Sequence, residues 1–193
     1  MKKSILLCLL VIIYASCQKK HNDVFYDILD DNFLVLSDTI AYDHNSFFIT
    51  PNDSIKTNST RSKDYKICIE KKIIDSREYV PGILKELEGT TYTKYLKLLE
   101  KHPYSKLKLI DLKKLKSIGK FKLIALSNPK INKDFESKYI GIIRFYKPFI
   151  NEKYAILIYS KQSSQKDGVV NACLFKKEEG HWKLEKKIEL ERW

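Results

Sequence analysis

Four kinds of residue in this chain could do chemistry: serines near lysines, single histidines, adjacent acids and cysteines. A Ser-x-x-Lys spacing can set a hydroxyl nucleophile beside an amine base, as in some envelope enzymes. It occurs at Ser105/Lys108, Ser117/Lys120 and Ser163/Lys166. A chain this rich in serine and lysine produces such pairs by chance, and the Ser-Asp-Asn, Lys-Thr-Gly and Gly-x-Ser-x-Gly partner motifs are absent. His21, His44, His102 and His181 stand singly, with no His-x-His, His-x-x-x-His or Cys-x-x-Cys spacing to converge on a metal. They read as surface or turn histidines. Asp30-Asp31 and Glu178-Glu179 are sequence neighbours that share neither a helix face nor a strand face, so they read as solvated ends of elements. The six glycines are scattered singly, and no phosphate-cradling loop forms. No catalytic set, cofactor site or metal site is expected.

One thiol has a chemical context. Lys2 and Lys3 give a basic start, and Ile5 to Tyr14 is an unbroken apolar run. It is well short of the ~20 residues that span a bilayer as a helix, but suits the middle of a signal peptide. Ala15 and Ser16 are small, and Cys17 follows. The pattern resembles the lipobox of bacterial lipoproteins, with Tyr14 where leucine is usual. That resemblance implies a diacylglyceryl group on the Cys17 thiol, cleavage before it, and further acylation with chains such as palmitate. Each buried CH₂ stabilises membrane residence by about 0.8 kcal/mol, and durable anchoring takes more than one chain. The expected organisation is a signal peptide at 1–16, a tether at 17–23 and a single domain at 24–193. In the lipoproteins it resembles, Asp after the cysteine favours inner-membrane retention. Here Gln18 takes that place, and Lys19, Lys20 and His21 do not form the acidic run that directs some lipoproteins to the surface. The expectation is an outer-membrane anchor facing the periplasm.

The formal charge of +12 raises nucleic acid, anionic membrane and acidic partners as options. Only Arg61, Arg77, Arg144 and Arg192 supply the forked guanidinium suited to phosphates and base edges; the other cations are lysines interleaved with acids. Nucleic acid is therefore not expected, and attraction to an anionic envelope surface is unspecific. With Cys8 in the leader and Cys17 lipidated, Cys68 and Cys173 remain. An exported chain permits a bridge, but two separate small apolar thiols are the favoured reading.

Val24, Phe25, Ile28, Leu29 and Phe33 recur at helical spacing after Asn22 or Asp23. Ser46 to Thr50 suits a short strand, and Asn52 to Asp64 a loop. Tyr65, Ile67 and Ile69 alternate with polar neighbours as a half-buried strand does. Pro81 opens a main helix predicted over 82–101, weakened at Gly89. Leu107 to Ile118 leans towards a strand before a turn at Gly119. Strand-like runs then follow at 121–126, 139–146, 154–160, 169–175 and 182–190. Their short connections predict an antiparallel meander. Tyr154 to Tyr159 is apolar on both faces and should be central. Trp182, Leu184, Ile188 and Leu190 should point inward, and Lys186 within that row predicts a bulge or a snorkelling stem. The class is α+β: an antiparallel sheet of five to seven strands packed against one main helix and a smaller N-terminal helix. Tyr146, Tyr154, Tyr159 and Trp182 could line a ligand platform, although core and cross-strand pairing is the favoured reading.

The stretches Lys153-Tyr-Ala-Ile-Leu-Ile-Tyr and Gly180-His-Trp-Lys-Leu-Glu-Lys-Lys-Ile are similar to small uncharacterised lipoproteins of Bacteroidota. In those, a strand ending in aromatics leads through a polar loop to a hairpin with a Gly-x-Trp-Lys turn. The resemblance covers about the last third plus the lipobox and brings no activity with it. The expected function is a lipid-anchored cell-envelope protein acting as a non-catalytic binding module. Its partners would be the membrane, through lipid on Cys17, and an envelope protein. An envelope immunity protein that neutralises a toxin, and an enzyme whose site assembles from separated residues, stand as alternatives.

Overall fold

The run from Tyr154 to Tyr159 lies at the heart of the sheet with both faces covered. The computed structural model describes residues 21–37, 66–101, 103, 106–119, 121–127, 130–131 and 139–193. The signal peptide expected at 1–16, Cys17, the strand expected at 46–50, the loop expected at 52–64, and His44, His102, Ser105 and Lys120 lie outside them. The strands are β1 (Lys66–Glu70), β2 (Lys122–Leu126), β3 (Gly141–Phe145), β4 (Phe149–Ile150), β5 (Tyr154–Ser164), β6 (Asp167–Glu178) and β7 (His181–Arg192). They form a 7-stranded sheet in the order β2-β1-β3-β5-β6-β7, with β4 beside β5. The fold is α+β.

The sheet is mixed rather than wholly antiparallel. From β3 onward the pairings are antiparallel, as the short connections require. At the other end, β1 lies between β2 and β3 and runs parallel to both, with Cys68 opposite Ile124 on one side and Ile142 on the other. The runs at 121–126 and 139–146 are therefore not meander neighbours. A strand more than fifty residues upstream separates them, and long connections can carry such parallel crossovers.

Alternation along β5 sends Ala155, Leu157 and Tyr159 to one face, and Ile156 and Ile158 to the other. Helix α1 (His21–Ser37) covers the first face. Its Phe25, Ile28, Leu29, Phe33 and Leu36 are all buried at helical spacing. Each contributes about 1.5–3 kcal/mol by leaving water, as an upper estimate. The second face is covered by α2 (Val80–Leu87), the 3₁₀ turn Thr93–Tyr95 and α3 (Leu96–Leu99), through Ile83, Leu87, Tyr95, Leu98 and Leu99.

The relative helix sizes are the reverse of expectation. The N-terminal helix has 17 residues and starts at His21, within the segment read as tether. The helix opened by Pro81 has 8, because Glu88 turns extended and Gly89 takes a φ of 68°. That left-handed conformation is cheap only for glycine, so the apolar spacing resumes as a separate short helix. The stretch at 107–118 is mostly irregular: Leu109 bridges Lys72, and a 3₁₀ turn spans Leu112–Lys114.

Between β6 and β7, Glu179 (φ 51°) and Gly180 (φ 89°) form a two-residue hairpin turn with both central φ values positive. A bulge then leaves Glu185 unpaired, with Leu174 opposite Lys186 and Phe175 opposite Leu184. It lies beside Lys186, where the sequence pattern predicts an irregularity. Its consequence corrects the single inward row. Trp182 and Leu184 pack with α1 on the first face, whereas Ile188 and Leu190 pack on the second. One extra residue reverses the phase of a period-two strand.

Candidate functional site

Three polar constellations are built into this frame. The first joins α1 to the β6–β7 hairpin. The Asp31 carboxylate accepts the Trp182 backbone N–H at 2.7 Å, and its other oxygen lies 3.0 Å from His181 Nδ1. Asn32 Nδ2 donates to the Trp182 carbonyl at 2.7 Å. Lys177, opposite Trp182, turns its own N–H towards β5, so the Trp182 groups point off the open edge of the sheet. Two adjacent helix side chains thus complete one rung of the ladder that no further described strand supplies. Asp30 accepts the N–H of Lys116 at 2.6 Å. The acid pair is therefore not a solvated helix end; each member holds a different distant segment.

The second constellation lies where the β7 bulge turns Glu185 onto the second face. Glu185 accepts from the Tyr95 hydroxyl at 2.6 Å, and Lys94 Nζ sits 2.9 and 2.7 Å from its two oxygens. The same ammonium lies 5.5 Å from the Tyr95 ring centroid and 5.3 Å from that of Tyr154. Burial alone would raise the Glu185 carboxyl, but the hydrogen bonds from Lys94 and Tyr95 outweigh it and hold the group below its ordinary 4.5. Burial, then the carboxylate, push Tyr95 up, so its hydroxyl stays a neutral donor. This aromatic cage is filled by the protein's own lysine.

The third is a row across β1, β3 and β5. Arg144 donates from Nε to Glu70 at 2.8 Å and from Nη1 to Gln162 at 2.9 Å. A guanidinium held at two points is a positioned bridge between strands.

Among the described residues, those singled out in the sequence do not converge. Tyr159 and Trp182 belong to the first-face core and Tyr146 to the second, with Tyr154 packed against it, so the four cannot line one platform. Ser163 donates to Asp167, not to Lys166, and Ser117 meets Asp30 through its backbone. Cys68 and Cys173 are free and buried. Three strand spacings separate β1 from β6, roughly 14 Å, beyond the reach of a disulfide. Burial pushes both thiols from an ordinary 9.0 up to about 12. Glu178 meets Lys176 and Lys183, while Glu179 forms the turn. Among the described residues no group of three His, Cys, Asp or Glu could hold a metal ion, and no helix is long and apolar enough to cross a membrane.

Fold and site together define an α+β domain whose best-built polar clusters join its own elements. Compared with known proteins, the chain matches no family model, no curated protein and no solved structure.

Proposed function

We propose that this is a lipid-anchored cell-envelope protein, held through acyl chains on Cys17 in the outer membrane and facing the periplasm, whose domain binds an envelope partner. The carrying observation is the leader: basic Lys2-Lys3, a short apolar run, then Ala15-Ser16-Cys17. Helix α1 begins four residues after Cys17, so such an anchor would hold the domain close to the membrane. Supporting the non-catalytic part, the carboxylates of Asp30, Asp31, Glu70 and Glu185 each meet donors from another element of the fold.

The test is cross-linking of the tagged full chain in its own cells, followed by mass spectrometry. A stoichiometric envelope-protein partner, absent with a control lipoprotein, is the expected result. Hydrolase or transferase turnover by the purified chain, lost on substitution of a single residue, contradicts it.

A further inference from the structure

We propose that the segment 106–116 is a second membrane contact, a lysine-rich loop with an apolar tip that lies on an anionic lipid surface and sets the orientation of the domain. This rests on the lipid-anchored reading above.

Five exposed lysines, Lys106, Lys108, Lys113, Lys114 and Lys116, occur within these positions, and Lys71 and Lys72 are exposed beside them. Backbone hydrogen bonds from Ile73 to Lys108 and from Ile110 to Lys71 join the two stretches. At the centre stands Leu109, 63% exposed and the most exposed large apolar side chain among the described residues. An isolated exposed leucine is ordinary, but one that bridges the exposed Lys72 and follows the exposed Lys108 fits the boundary between headgroups and acyl chains.

The placement gives the surface its occupant. The Asp111 N–H donates to the Tyr26 hydroxyl at 2.7 Å, and Lys114 Nζ lies 3.3 Å from Asp23 and 5.1 Å from the Tyr26 ring centroid. The loop is therefore fixed to the first turns of α1. Cys17 precedes that helix by four peptide steps, at most about 14 Å of chain. Lys19 and Lys20 lie in that interval. The nearby acids are Asp23, Asp27, Asp30 and Asp111. Asp23 faces Lys114, Asp30 is held by the Lys116 and Ser117 amides, and Asp111 accepts from the Lys113 N–H. Cations remain in excess in this patch, and lysines close to an anionic leaflet are attracted individually within a Debye length.

The test uses the full lipidated chain in phosphatidylglycerol-containing vesicles, with phosphatidylcholine vesicles as control. An environment-sensitive fluorophore is placed through Leu109→Cys, and separately through Lys187→Cys on exposed β7. The expected result is a blue shift and quenching by lipid-borne quenchers at position 109 alone, on the anionic vesicles alone, and reversed by salt. Unlipidated Cys17→Ser chain from which residues 1–16 have been removed should still bind those vesicles at low salt. Each lysine is worth about fivefold in partition, so Lys108→Gln, Lys113→Gln and Lys116→Gln together should weaken that binding on the order of a hundredfold. Circular dichroism checks that the triple variant folds. Chain that floats with vesicles while the probe stays in water overturns the loop contact and leaves the anchor standing. Chain that carries no lipid overturns the anchor, and the partition of the Cys17→Ser chain lacking residues 1–16 then decides the loop by itself.

Discussion

The Asp31 carboxylate and the Trp182 amide meet at 2.7 Å across 151 positions of sequence, tying the first described helix to the last hairpin. With Asn32 on the Trp182 carbonyl, this contact ends the open edge of β7 where a further strand would otherwise add. Asp31→Ala should destabilise the protein by about 1–3 kcal/mol, the cost of leaving a partly buried N–H without its charged acceptor. Asp31→Asn, which keeps one acceptor oxygen, should lose less. The denaturant midpoints of the two variants check the order.

The cage around Glu185 makes stability depend on acid. Its folded carboxyl titrates below the ordinary 4.5, so its contribution is fully present above that value and is lost as pH falls through the folded one. Glu178, brought down to about 2 by its hydrogen bonds with Lys176 and Lys183, acts in the same direction. Glu185→Gln should flatten the stability profile below pH ~4.5 and, by removing the carboxylate that helps raise Tyr95, make the alkaline fall shallower; chemical denaturation across pH measures both limbs.

At the alkaline end the sign reverses. Cys68 and Cys173, pushed up to about 12 by burial, and Tyr95, raised by burial and Glu185, stay neutral in the fold and ionise more readily when unfolded. Their contribution is present below the ordinary 9.0 and 10.0 and lost as pH climbs above them. Tyr95→Phe should shallow the fall above pH ~10. Both thiols should resist a disulfide reagent in native protein at pH ~8 and react once denaturant unfolds it, because the thiolate is the reactive form.

Gly168 lies against the Trp193 indole. A Cβ there would stand 2.3 Å from the Trp193 ring, whose backbone exchanges two hydrogen bonds with Gly168. Gly168→Ala should displace the indole and change tryptophan emission, with little loss of stability, since the exposed Trp193 side chain can swing aside. Trp193→Phe removes the signal and confirms its source.

Much of this fold was legible because local patterns and tertiary demands agree. Tyr154 to Tyr159, apolar at every position, read as a central strand covered on both faces, and Glu178 to Gly180 as the break between two strands. Lys186 in an apolar row predicted a bulge or a snorkelling stem, and did not reveal that the bulge would send Ile188 and Leu190 to the opposite face. The insertion of β1 between β2 and β3 was hidden, because a strand's own alternation does not name its neighbours. Asp30 and Asp31 were misread for a similar reason. Their partners, Lys116 and Trp182, lie 86 and 151 positions away, and a carboxylate poised for a distant amide looks in sequence like any solvated acid. The lipidation expected at Cys17 rests on a leader pattern alone, and Cys17 lies outside the described residues.

The most direct measurement is the intact mass of the mature protein from its own cells, paired with acyl labelling of wild type and Cys17→Ser. A chain beginning at Cys17 and carrying acyl mass, with label lost in Cys17→Ser, is the predicted result. An unacylated chain, or equal label in the variant, contradicts the lipid-anchored reading.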